Sequence, residues 1–89
     1  EALTRLQQSL GDRHPRIALA LNNLAAAVDA RGRYDEAAAL HAEALTLRRQ
    51  IYGEDHPAVA TSLNNLANVL QKQEKYGEAE PLARRVVEM

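Results

Sequence analysis

Cysteine does not occur in the 89 residues, which excludes disulfides and thiolate metal sites and is compatible with a reducing compartment. A cytoplasmic setting is the expectation. Phenylalanine and tryptophan are also absent, and tyrosine occurs three times, so a nucleic-acid surface built on aromatic stacking has little to draw on. Charge of neither sign prevails: Lys+Arg 11 against Asp+Glu 12 leaves a net charge of −1. No overall field therefore steers the chain onto nucleic acid or an anionic membrane. No apolar run approaches the roughly 18 residues of a membrane span, and no basic-plus-apolar signal segment opens the chain. The dominance of Ala and Leu points instead to close-packed helices in at most one domain. Glu1, in place of a Met, already stands in a helical pattern, and we read the chain as a segment of a longer protein.

Self-comparison reveals one fixed offset. His14-Pro15 recurs as His56-Pro57, and Leu21-Asn22-Asn23-Leu24-Ala25 as Leu63-Asn64-Asn65-Leu66-Ala67, in each case 42 residues on. The same offset relates Gly11 to Gly53, Tyr34 to Tyr76, Glu36-Ala37 to Glu78-Ala79 and Leu40 to Leu82. Even Glu1-Ala2-Leu3-Thr4 matches Glu43-Ala44-Leu45-Thr46. The chain is a repeat array.

Within a unit the apolar period is helical. Ile17, Leu21, Leu24, Ala25 and Val28 form one stripe, repeated by Val59, Leu63, Leu66, Ala67 and Leu70. Pro15 and Pro57 suit a first helical turn, whose N–H groups have no intrahelical partner. Gly32 suits a left-handed helix end, and Asp35 an N-cap for the next helix. That next helix carries Ala37, Leu40, Ala44, Leu45 and Ile51. The pattern predicts helices over about 1–10, 15–30, 35–51, 57–72 and 77–89. Pro81 falls early in the last, where it is expected to cost at most the first hydrogen bond. Residues 1–10 read as the end of a preceding second helix, 11–52 as one repeat and 53–89 as another, truncated.

Two helices per unit also suit a HEAT-type array, but the residue pattern decides against it. Leu63-x-x-Leu66-Ala67-x-x-Leu70, then Tyr76, then Ala79, resembles the tetratricopeptide repeat. The long unit, with LNNLA, Tyr-x-Glu-Ala and Gly-x-x-His-Pro, is similar to the repeats of kinesin light chains and of many bacterial tetratricopeptide proteins. The resemblance spans essentially all of the chain and implies an all-α fold: a right-handed α-solenoid of antiparallel helix pairs. It further implies that the tyrosine fills the turn between helices A and B, and that the alanine lets helix B approach closely. Two departures stand out. The bulky aromatic of mid-helix B is His41 in one copy and Ala83 in the other, so packing there is expected to be thin. Gly32 is matched by Glu74, so the second turn is expected to be strained or differently shaped.

The repeated asparagines are mediocre helix formers and need a reason. At about 100° per residue, the face of helix A turned away from its partner carries Leu19, Asn22, Ala26 and Asp29 in one unit and Thr61, Asn64, Asn68 and Gln71 in the next. In a stack of helix pairs the A helices line the inside of the curve. Asn23 and Asn65 then sit on the flank toward the neighbouring repeat. A carboxamide both donates and accepts, so Asn groups along a groove can hold the main chain of an extended peptide. The resemblance carries a peptide-binding role onto Asn22, Asn64 and Asn68, with Leu19, Asp29, Thr61 and Gln71 on the same face and Lys72 at its edge. The alternative is that the Asn side chains bridge adjacent helices or face water.

The other constellations are structural. His14 and His56 occupy one repeat position before a proline and are read as capping or packing the link. His41 has no second ligand at i+3 or i+4, so no metal is expected. No nucleophile has a partnered base, so no catalytic residue is expected and the chain is not read as an enzyme. The glycines punctuate helix ends and form no phosphate-cradling loop; no cofactor is expected. Arg31/Arg33, Arg48/Arg49 and Arg84/Arg85 are placed at turns or on exposed faces of helix B. The expected partner is a protein or peptide, with no nucleic acid and no membrane. The competing expectation is self-association: apolar ends at Leu3, Leu6 and Leu10 and at Val86, Val87 and Met89 stacking end to end, or a terminal helix exchanged, to give a homodimer.

Overall fold

A computed structural model of the chain describes residues 15–89. It contains four α-helices: α1 Pro15–Ala30, α2 Tyr34–Tyr52, α3 Pro57–Lys72 and α4 Tyr76–Glu88. The helix expected over 1–10 and the role of His14 lie outside the described residues. Helices α1 and α3 start 42 positions apart at Pro15 and Pro57, and α2 and α4 do the same at Tyr34 and Tyr76. Each helix packs on the next in sequence, making two antiparallel hairpins that stack through α2 and α3. Among the described residues no helix is long and apolar enough to cross a membrane.

The two hairpin turns share one hydrogen-bond scheme. Arg33 N–H donates to the Val28 carbonyl at 3.0 Å and Gly32 N–H to that of Asp29 at 2.9 Å. One repeat later Lys75 N–H donates to Leu70 at 2.8 Å and Glu74 N–H to Gln71 at 2.9 Å. Both are Schellman closures, which place one residue in the left-handed region. Gly32 takes φ 79° there at no steric cost, whereas Glu74 takes φ 61° against its own Cβ. The substituted turn keeps its shape and carries the strain. The link between hairpins is held at His56, the N-cap of α3. Its Nδ1 accepts from Ala58 N–H at 3.0 Å, and its ring stacks on Tyr52 with centroids 4.1 Å apart.

The apolar stripes fill the core with one exception. Ile17, Leu21, Ala25 and Val28 are buried, as are Val59, Leu63, Leu66, Ala67 and Leu70. Leu24, expected in the same stripe, is 46 % exposed. Its counterpart Leu66 lies in a cluster with Leu45 of α2, the second helix of the preceding hairpin. No described element stands to Leu24 as α2 stands to Leu66, so a helical wheel alone overstates its burial. The small residues Ala37 and Ala79 are buried at 0 % and 2 %. Tyr34 packs with Val28, Ala37 and Val69, and Lys72 Nζ stands 5.7 Å from its ring centroid. Tyr76 is 61 % exposed, because no described element stands to it as α3 stands to Tyr34.

Three local expectations change. Asp35 is not an N-cap: α2 begins at Tyr34 after Arg33, which makes no side-chain capping bond. Asp35 instead lies in the first turn, where a carboxylate complements the helix dipole, and accepts from Gln73. Pro81 lies past the first turn of α4 and deprives the Gly77 carbonyl of its i+4 donor. Arg48 is not on an exposed face. It is 9 % exposed, and its Nη1 donates to Ser62 Oγ at 2.9 Å and to the Ala58 carbonyl at 3.4 Å. Seven residues after His41, it shares the face of α2 that meets α3.

Candidate functional site

The exposed strips of α1 and α3 run side by side, and a cavity of about 520 Å³, open to solvent, lies between them. It is lined by Asn22, Ala26 and Asp29 from α1, His41 from α2, and Asn65, Asn68, Gln71 and Lys72 from α3. Of the residues expected on the binding face, Asn22, Asp29, Asn68 and Gln71 come together here. Leu19, Thr61 and Asn64 do not line this cavity. Leu19 is 51 % exposed on α1, and Asn64 is exposed on α3. Thr61 is exposed with its hydroxyl donating to the Pro57 carbonyl at 3.1 Å.

Asn65 enters the cavity from the flank. Its Nδ2 donates to Oδ1 of Asn22 at 2.8 Å. The second asparagine of one LNNLA thus bonds the first asparagine of the preceding one. A second bridge repeats the geometry one step further along: Lys72 Nζ donates to Oδ1 and Oδ2 of Asp29 at 3.0 and 2.9 Å. Both bridges join residues 43 apart, one more than the repeat period. The extra residue turns the facing side chain of α3 by about 100°, from Asn64 to Asn65. The wheel puts Asn65 on the flank toward the neighbouring repeat, and the way one hairpin leans on the next brings it into the cavity wall. The bridging reading of the asparagines therefore holds for Asn22 and Asn65. The pair still leaves the Asn22 Nδ2 donors and the Asn65 Oδ1 acceptor for other partners.

His41 forms part of the cavity wall. It is 4 % exposed, and Nδ1 has no hydrogen-bond partner. Burial pushes its pKa below the ordinary value near 6.5; the Asp29 carboxylate pulls against this and the Arg48 guanidinium reinforces it. The imidazole is thus a neutral donor–acceptor group beside a paired carboxylate and ammonium. Its pattern gives one signal in the sequence: it stands where the repeat pattern calls for a bulky aromatic. Nothing in the spacing reveals that it reaches the surface of α3. Among the described residues no cluster of three or more His, Asp or Glu is arranged to hold a metal ion. The arrangement supplies hydrogen bonds and balanced charge, and no activated nucleophile.

A family profile described as tetratricopeptide repeat matches residues 1–50 and, in a second alignment, residues 16–89. A comparison with curated proteins found no match. The matched segments together run the length of the chain, and within them two helical hairpins recur at a 42-residue offset: the chain belongs to the tetratricopeptide repeat family.

Proposed function

We propose that the chain is a protein–protein interaction scaffold that holds an extended peptide segment of a partner across the A helices α1 and α3. Tetratricopeptide repeats are generally protein–protein interaction modules, non-catalytic in themselves. The observation that carries the finer reading is the amide-rich cavity between the two strips, with Asn22, Asn65, Asn68 and Gln71 in its wall. Amides facing a groove match the alternating N–H and C=O groups of an extended main chain, whatever its side chains. Leu19, Thr61 and Asn64 flank the same strips as outer contacts. The balanced Asp29–Lys72 pair fits a ligand without strong net charge. The 42-residue unit supports a likeness to kinesin light chain repeats, and a cytoplasmic setting belongs to the same proposal.

A random-peptide display selection on the chain, run beside an Asn22→Ala/Asn68→Ala variant, tests this reading. Enrichment of a short extended motif that the variant loses is the expected result. No enrichment, or enrichment indifferent to both substitutions, rejects the groove. The exposed Leu24 favours a second reading, in which another repeat-like surface, including that of a second copy, covers the outer side of α1.

A further inference from the structure

We propose that His41 determines specificity in this groove, seating an uncharged hydrogen-bonding side chain of the bound peptide, a hydroxyl or a carboxamide. The inference rests on the peptide-binding reading above and deepens it. Three observations converge on His41. It is 4 % exposed, it lines the cavity, and its Nδ1 has no hydrogen-bond partner. Asn22 and Asn65 bond each other and Asp29 bonds Lys72 in the same wall, whereas His41 is its buried side chain with an unpartnered nitrogen. Buried polar atoms are normally satisfied, and an enclosed nitrogen without a partner in a cavity wall marks a place that a turn of the ring opens to an incoming group. At about 520 Å³ the cavity has room for a peptide side chain.

The wall also selects the chemistry of that side chain. Both Asp29 oxygens already accept from Lys72, at 3.0 and 2.9 Å. An incoming charge must either break this pair or be held without a countercharge. A cation meets Arg48 from α2 and Lys72 from α3, which outnumber Asp29 from α1, and an anion finds both cations engaged, Lys72 by Asp29 and Arg48 by Ser62 Oγ. An apolar side chain fits the volume but leaves the imidazole unpaired. Hydroxyls and carboxamides each donate and accept, so they satisfy either tautomer of a neutral imidazole.

The test starts from the motif selected by random-peptide display on the whole chain. Synthetic peptides then carry Ala, Ser, Gln, Asp or Lys at each motif position in turn. One position is expected to demand Ser, Thr, Asn or Gln, with Ala, Asp or Lys there weakening binding about tenfold or more. In His41→Leu that position becomes indifferent while the remaining preferences stand. A motif without such a position, or a polar preference that survives His41→Leu, overturns the assignment and leaves the groove in place. Absence of any enriched peptide overturns the groove and the assignment together. Circular dichroism establishes whether His41→Leu folds. Where it does not, two measurements decide: His41→Gln must keep the polar preference, and the ring-nitrogen NMR shifts of wild-type His41 must move on peptide addition. Loss of the preference in His41→Gln, or ring shifts that stay fixed, rejects the assignment.

Discussion

Burial sets the chemistry of His41, and the consequence extends to stability. Its environment lowers its pKa through desolvation first, with Asp29 of α1 opposing and Arg48 of α2 assisting; the ammonium of Lys72 on α3 faces the same cavity but is held by Asp29. A group whose folded pKa is depressed binds its proton first in the unfolded chain. Stability is therefore full above about pH 6.5 and falls as pH drops from there through the lowered folded value. Thermal melts at about pH 7.5 and 5.5 are expected to show this loss in the wild type and a smaller one in His41→Gln. Packing divides Leu24 from Leu66 in the same way, by neighbours and not by sequence. Leu66→Ala removes a side chain 9 % exposed in a three-helix cluster and is expected to cost about 2–5 kcal/mol. Leu24→Ala, at a site 46 % exposed, is expected to cost less than about 1 kcal/mol. Denaturant titration of the two variants checks the contrast; equal losses refute it.

The start of α3 and the ends of α1 and α3 have local reasons that the residues announce. Proline in the first turn and an imidazole N-cap start α3, and a left-handed residue closes α1 and α3. The turns differ in what occupies that last position. A non-glycine residue in the left-handed region carries about 1–2 kcal/mol of steric cost, part of which glycine returns as lost chain entropy. Glu74→Gly is thus expected to raise stability by roughly 0.5–1 kcal/mol. Gly32→Ala is expected to lower it by about 1 kcal/mol, although no atom lies within 4 Å of the added Cβ. Melting both variants beside the wild type measures the pair, and opposite signs are the signature of a shared turn geometry. The limits of the four described helices were legible to within a residue because caps, proline and glycine act over one turn. The N-cap role given to Asp35 was misplaced because α2 begins one residue earlier, at Tyr34.

As a whole the described residues form a slab, 37 × 30 × 15 Å. A slab built by stacking hairpins has two broad faces and two ends, and its core is shared between neighbours. That geometry leaves Leu24 at one end, and Val87, 86 % exposed, and Met89 at the other, without apolar cover among the described residues. Concentration-dependent dimerisation of the chain is the expected outcome. Light scattering across the micromolar range checks it, and a monomeric mass throughout contradicts it.

The repeat period, the helix hairpins, the family and the apolar faces followed from the sequence, because each rests on contacts within one helix or one turn. The polar face of the A helices was legible for the same reason, placing Asn22, Asp29, Asn68 and Gln71 on one exposed side. The flank position of Asn65 was legible too, but its partner and its place in the cavity wall were decided only in three dimensions. The lean of one hairpin on the next turns α3 so that Asn65 meets Asn22, and Lys72 meets Asp29. The same stacking buries Arg48 against Ser62 and brings His41 to the cavity wall without a partner. Helical periodicity fixes angles about one axis. The angle between axes belongs to the packing of side chains drawn from separate repeats, and no single helix contains it.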